Sequence, residues 1–329
     1  VVFTRKAKAV LCPIAPDQIA AYFDRMNDLD ATTKSSASQT AVPIADQAPA
    51  IPPAPDTATD TAAVHRLRRP VYIGPINWVG LAMLYQREVQ RFLKIATQTL
   101  AAPVITSVLF LMVFSVALGE RANFVGDVDF VTFLVPGLVM MNVLQNAFAN
   151  TSSSLVVSKV QGNIVDLLMP PLGPGELLFG LAAAGMTRGL CVGVVTAVVL
   201  VMLGGGTWPP HPMIALGFLT LGAFALSFAG ILAGIWANKF DELAAITNFV
   251  VQPLTFLSGT FYSVDRLPAP FDLIASLNPV FYTIDGFRYG MIGVADRSLM
   301  TGFYCLVTVN VVLAILCYNA LRSGYRLKS

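Results

Sequence analysis

From residue 99 onward the chain alternates long apolar runs with short polar joints. Six runs of about 20 apolar residues, each enough to cross a bilayer core, fall near 99–118, 130–149, 184–203, 213–236, 244–259 and 300–321. The fifth is short, and the stretch after it, 254–290, is apolar but broken. Prolines stand at Pro268, Pro270 and Pro279 and glycines at Gly259, Gly286 and Gly290. Charges recur at Asp265, Arg266, Asp272, Asp285 and Arg288. A proline inside a helix removes a hydrogen bond and clashes with the previous turn. In lipid, irregular backbone survives only where protein or a water-filled cavity covers it. The pattern predicts an all-α polytopic membrane protein with six transmembrane helices. Re-entrant helices lie on the outer side between spans five and six.

Upstream of the spans, 77–98 reads as an amphipathic interfacial helix. Trp78, Leu81, Leu84, Tyr85, Phe92 and Ile95 take one side; Arg87, Glu88, Arg91 and Lys94 take the other. A charged face opposite Trp and Leu suits the membrane surface. Glu88 and Arg91, three residues apart, are placed to pair on the polar face. Residues 1–70 differ again. Their Ala, Pro, Thr and Asp content cannot bury enough apolar surface to offset ordering entropy, which predicts a disordered cytoplasmic extension with a short helix over 17–30. The basic run 65–69 is placed to touch anionic lipid or stay solvated. The domains are therefore 1–70, the interfacial helix 71–98 and the transmembrane region 99–329. The polar, charged start predicts no cleavable signal peptide.

Composition supports a membrane protein. The 329 residues are 55% hydrophobic and 12% charged, against about 25% charged in an average soluble domain. Net charge of +2 gives no footprint for nucleic acid. Cys12, Cys191, Cys305 and Cys317 show no metal or disulfide spacing. Lys and Arg near the span ends set orientation. With the N-terminus inside, Arg87, Arg91, Lys94, Lys159, Lys239, Arg322, Arg326 and Lys328 face inward, against Arg121, Arg266, Arg288 and Arg297 outside. Both termini are thus expected on the cytoplasmic side.

No enzyme motif appears. GxxxxGK[ST] is missing, so the chain has no nucleotide loop of that kind, and neither GxSxG nor HExxH occurs. His65 and His211 stand apart from other ligands. Three polar or small-residue patterns stand out instead. The joint 151–176 contains Val160, Ile164, Leu167 and Leu168 at helical spacing, closed by Pro170-Pro171. It reads either as a helix docking a cytoplasmic partner or as one lying on the bilayer. Asn142, Gln145, Asn146 and Asn150 share a face of the second span, where amides either glue helices together or line a wet path. Gly185, Gly189 and Gly193, then Gly230 and Gly234, permit close helix approach. Arg188, among those glycines, either snorkels to the cytoplasm or faces a cavity and attracts an anionic head group.

Taken together, three blocks resemble the membrane subunit of ABC-2-type exporters, in the group with nodulation lipo-oligosaccharide and drug-efflux permeases. They are residues 87–114, the loop GNIVDLLMPPLGPGELL at 162–178, and the order Leu267-Pro268, Asn278-Pro279, Tyr282, Arg288. Val280 departs from the Leu, Ile, Phe or Met expected after that proline. The resemblance implies a homodimer in the inner membrane bound to two copies of a separate ABC ATPase. ATP and Mg would sit on that partner, with no cofactor here. Glu88, Arg91, Gly162, Asp166, Leu167, Leu168 and Pro171 would couple to the ATPase. Asn142, Gln145, Asn146 and Arg188 would belong to the path; Pro268, Pro279, Tyr282, Asp285 and Arg288 would belong to an outer gate. Asp285 and Arg288 are also spaced to pair across one turn. The implied function is export of an amphiphile: lipid-linked saccharide, polysaccharide or drug. An ion-coupled carrier working alone is the alternative, though such carriers show repeats and midplane acids that this sequence lacks. A non-transporting scaffold would need neither the broken segment nor the loop.

Overall fold

The computed structural model describes residues 76–118, 124–125, 128–205, 209–264, 268 and 271–324. The expected extension 1–70, its short helix and its basic run lie outside the described residues. Helix α1 is Trp78–Leu93, and α2 is Ala96–Leu118. A two-residue hairpin follows, β1 Phe124–Val125 against β2 Val128–Asp129, antiparallel with Phe124 opposite Asp129. This hairpin is the one departure from an all-helical chain among the described residues. Next come α3 Phe130–Val160, α4 Ile164–Leu168, α5 Pro174–Leu200 and α6 Pro212–Trp236. A helical stretch then runs as α7 Phe240–Ile246, a wide π turn Thr247–Val251, and α8 Gln252–Phe256. Helices α9 Phe271–Leu277, α10 Pro279–Ile292 and α11 Leu299–Ser323 complete it.

Five described helices, α2, α3, α5, α6 and α11, are long and apolar enough to cross a membrane. The expected fifth span, 244–259, falls on the continuous helical run of α7, the π turn and α8, Phe240 to Phe256, which is shorter than those five. Pro253 lacks an N–H for the preceding turn, and the wide π turn lies directly upstream of it. The joint between the second and third expected spans is also shorter, from both ends, than the apolar pattern predicts. Helix α3 continues past Ala149 to Val160, so Val160 ends this helix and does not start the loop helix. Its Ser and Thr run survives because the hydroxyls bond back into the helix, Thr151 and Ser152 to the Phe148 carbonyl and Ser158 to Ser154. Helix α5 begins at Pro174, ten residues before the expected 184.

Helix α3 is the pillar. Within its membrane-length window 83% of residues are buried, against 17% for α2 and 11% for α11. The most extensive packing is of α3 on α6 and α5. Small residues make it possible. A Cβ on Gly189 would lie 2.8 Å from the Val143 carbonyl oxygen, and one on Gly230 would lie 2.5 Å from that of Phe148. Both glycine patterns therefore do what their spacing predicts, bringing α5 and α6 against the α3 backbone.

Candidate functional site: two polar clusters at the ends of one helix

The end of α3 that leads into α4 carries the first cluster. Helix α1 starts at Asn77, whose side chain accepts from the Gly80 N–H at 2.9 Å and donates to the Pro171 carbonyl at 3.2 Å. The Glu176 carboxylate accepts from the Asn77 and Gly173 backbone N–H groups. Pro174 at the first helical position and Glu176 two residues on suit a helix start. Thus α1, the α4 loop and α5 are fastened at one point. Neither Asn77 nor Glu176 was singled out in the sequence, although the G-P-x-E pattern of a helix N-terminus was available.

Glu88 is not on a polar surface. It lies four residues after Leu84 and four before Phe92, and all three are buried. Its side chain is 2% exposed. The Ser154 hydroxyl donates to it at 2.9 Å and Arg91 pairs with it at 3.1 Å. Arg91 also donates to the Asn150 carbonyl at 2.7 Å and to the Asn150 side-chain oxygen at 3.1 Å. The expected pair forms, but on the core side of α1, because i, i+4 spacing from two apolar anchors outweighs the average polarity of that face. Lys159 donates to the Ile235 and Ala237 carbonyls, closing the end of α6.

Outside this buried lock, α1 and the loop share a cleft. Gly80, Met83, Leu84 and Arg87 meet Asp166, Leu167 and Pro170 around a cavity of about 240 Å³. Leu167 is buried, whereas Arg87, Gly162, Asp166 and Met169 are exposed. Gly162 has φ +71°, the left-handed conformation glycine favours. It turns the chain from α3 into α4. Leu168 lies on α4, and Pro170 and Pro171 end that helix.

The four amides of α3 fasten helices. Asn142 donates to the Ser107 hydroxyl on α2 at 2.6 Å and lies 3.5 Å from the Thr196 hydroxyl on α5. Gln145 reaches Thr255 on α8 at 3.3 Å. Asn146 accepts from Arg188 on α5 at 3.3 Å, and Asn150 holds Arg91. Asn142, Asn146 and Asn150 are buried, and each side chain bonds to a neighbouring helix.

The opposite end of α3 carries the second cluster. The Arg288 guanidinium sits 3.9 Å over the Phe133 ring and donates to the Gly259 carbonyl at 2.6 Å. Gly259 has φ +74°. Asp285 does not spend its carboxylate on Arg288; it accepts from the Asp296 and Arg297 backbone N–H groups at 2.7 and 3.1 Å. Two backbone donors in fixed geometry outcompete a side chain already held by a carbonyl and a ring. Asp296 in turn accepts from the Ser263 hydroxyl and the Val264 N–H, a tie absent from the sequence expectations. Pro279 opens α10 beneath the Asn278 cap, which also donates to the Leu254 carbonyl at 2.7 Å. Tyr282 packs edge-on against Phe281. Pro268 is exposed.

Phe133 and Ser154 are 21 residues apart on α3, about 31 Å at 1.5 Å per residue, close to the thickness of a bilayer core of about 30 Å. A buried pillar thus joins a loop-and-α1 platform at one end to a cluster of short helices at the other. The family model for ABC-2 type transporters matches residues 80–292, from the first turn of α1 to the end of α10. The chain belongs to the ABC-2 type transporter family. It is 38% identical over 256 residues to the inner membrane transport permease YadH of Escherichia coli K12, covering 77% of this chain and 99% of that relative. It is 25% identical over 240 residues to nodulation protein J of Rhizobium leguminosarum bv. viciae, covering 72% and 91%. Both ends of the α3 pillar therefore fall inside the ABC-2 match, and residues 1–70 fall outside it.

Proposed function

We propose that this chain is the permease subunit of an ATP-binding cassette exporter in the inner membrane. A separate ATPase drives it, two copies of the permease pair with two of the ATPase, and the cargo is an amphiphile such as a lipid-linked saccharide, a polysaccharide or a drug. The observation carrying this reading is the cleft between α1 and the 162–171 loop. Exposed Met83 and Pro170 line it beside exposed Arg87 and Asp166. Exposed apolar side chains with a charged rim suit protein docking. The Glu88–Arg91–Ser154 lock ties that platform to α3, so a push on the loop reaches the pillar as a rigid displacement. Asp285 and Arg288 hold the shape of the short helices at the far end, which act as the exit gate. Membership of the family and the name of YadH, a transport permease, support the transport role.

An ion-coupled carrier is less well supported. Among the five long helices the acidic residue is Glu176, at the very start of α5 and committed to backbone N–H groups. Carriers of that kind place acids near the midplane. A mild-detergent pull-down is expected to bring an ATP-binding subunit. Cysteine pairs between residues 162–171 and that subunit are expected to crosslink, and scrambling 163–168 to uncouple ATP hydrolysis from transport. Substrate movement by reconstituted permease under an ion gradient alone, with no ATPase recovered, overturns the reading.

A further inference from the structure

A second cavity, of about 450 Å³, opens between the α1–α2 corner and α5. Phe92, Ala96, Leu100, Val192 and Val195 give it apolar walls, and Arg188 is the one charged side chain in its lining. We propose that this groove holds an anionic phospholipid of the bilayer, its head-group phosphate on the Arg188 guanidinium and an acyl chain along the apolar wall.

The charge balance argues for an anion. Arg188 donates to the neutral Asn146 side chain, and its Nε is buried without a hydrogen-bond partner. No carboxylate pairs with it among the described residues; the Glu88 carboxylate is taken by Arg91. Arg188 feels Arg91 as a like charge. Two guanidiniums on successive turns of α3 amides thus share one carboxylate, leaving one positive charge uncompensated. A cation shielded from water without an anion is costly, and guanidinium matches phosphate in geometry.

Depth argues for a lipid over a soluble anion. The groove contains Ala96, the first residue of span α2, and Phe92 at the end of α1, while Arg188 lies 14 residues into α5, inside its membrane-length span. Lys94 stands exposed at the same corner. From Arg188 to Val195 is seven residues of α5, about 10 Å further along the span. The Ala96-to-Leu100 wall of α2 extends from the same level. The charge is recessed within the span, reached through the groove from the α1–α2 corner, and the apolar wall continues past it into hydrocarbon.

Native mass spectrometry of the purified full chain, without its ATPase, tests this with phosphatidylglycerol and phosphatidylcholine of identical acyl chains at equal concentration. Wild type is expected to retain phosphatidylglycerol preferentially. Arg188→Gln should lower that preference about ten-fold, the worth of one charge-assisted contact, and Arg188→Lys should keep most of it. Val194→Trp, which fills the groove and leaves the charge, should reduce retention of both lipids, and excess inorganic phosphate should displace neither. An unchanged lipid ratio in Arg188→Gln overturns the proposal. So does Arg188→Lys behaving like Arg188→Gln, or lipid lost whenever a dimer forms, which would assign the groove to a second copy. If Arg188→Gln fails to fold, the Lys and Trp variants carry the test. Failure of the ATPase pull-down leaves this result untouched, because the proposal rests only on the membrane setting.

Discussion

Glu88 is placed where losing its partners would be costly. Its carboxylate satisfies the Ser154 hydroxyl and part of the Arg91 guanidinium out of contact with water. Glu88→Ala leaves the buried Ser154 hydroxyl without this acceptor and removes the ion-pair partner of Arg91, at a cost of about 1–3 kcal/mol. Glu88→Gln keeps an acceptor for Ser154 but loses the charge, and should cost less. Thermal unfolding in detergent, with Arg91→Ala completing a double-mutant cycle, measures both. Wild-type unfolding temperatures for the two Glu88 variants would reject the lock. At this scale the sequence was partly legible. The amide stripe of α3 could be read because Asn142, Asn146 and Asn150 repeat at helical spacing. Glu88 was misplaced because a charged side chain was assigned to water by type. Its position between Leu84 and Phe92 already put it on the core face. Asp285 and Arg288 are spaced to pair, but each found a backbone partner supplied by a distant segment, Asp296–Arg297 and Gly259. Local spacing carries no information about such partners.

Helix–helix approach is where sequence and structure agree most closely. Gly230 faces the α3 backbone at Phe148, whereas a Cβ on Gly217, on the same α6, would meet nothing within 4 Å. Gly230→Val should therefore prevent α6 from seating on α3, while Gly217→Val leaves assembly intact. Membrane accumulation and a monodisperse elution peak report the difference; equal behaviour of the two variants contradicts the packing. Glycine at four-residue spacing is readable because its effect is local and steric. Helix length is less so. The Thr151–Ser154 run looks like a joint by composition. It is helix because its hydroxyls satisfy carbonyls one turn back and Ser154 meets Glu88. Likewise the apolar content of 244–259 predicts a helix there but not the π turn Thr247–Val251 ahead of Pro253.

Across the whole molecule, α3 turns two local clusters into one device. Its ends are tied to different partners: Arg91 and Glu88 of α1 at one, Arg288 of α10 at the other. The helix between is almost wholly covered by α5, α6 and α10. A pillar so enclosed moves as a unit, since packed interiors shift between discrete arrangements more readily than they deform. For that motion to serve transport, the two ends must open to different compartments. The Lys and Arg bias is the ground for expecting the α4 end on the cytoplasmic side. Asp166 on α4 and Ser298 at the start of α11 are exposed reporters of the two ends, and Ser298 makes no capping bond to lose. With the native cysteines replaced, Ser298→Cys should react with a membrane-impermeant maleimide in intact cells opened only at the outer membrane. Asp166→Cys should react only after the inner membrane is lysed. Labelling of both from one side would mean that α3 does not bridge the bilayer, and the reversed pattern would invert the orientation. Either result would remove the α4 platform from the compartment that holds ATP.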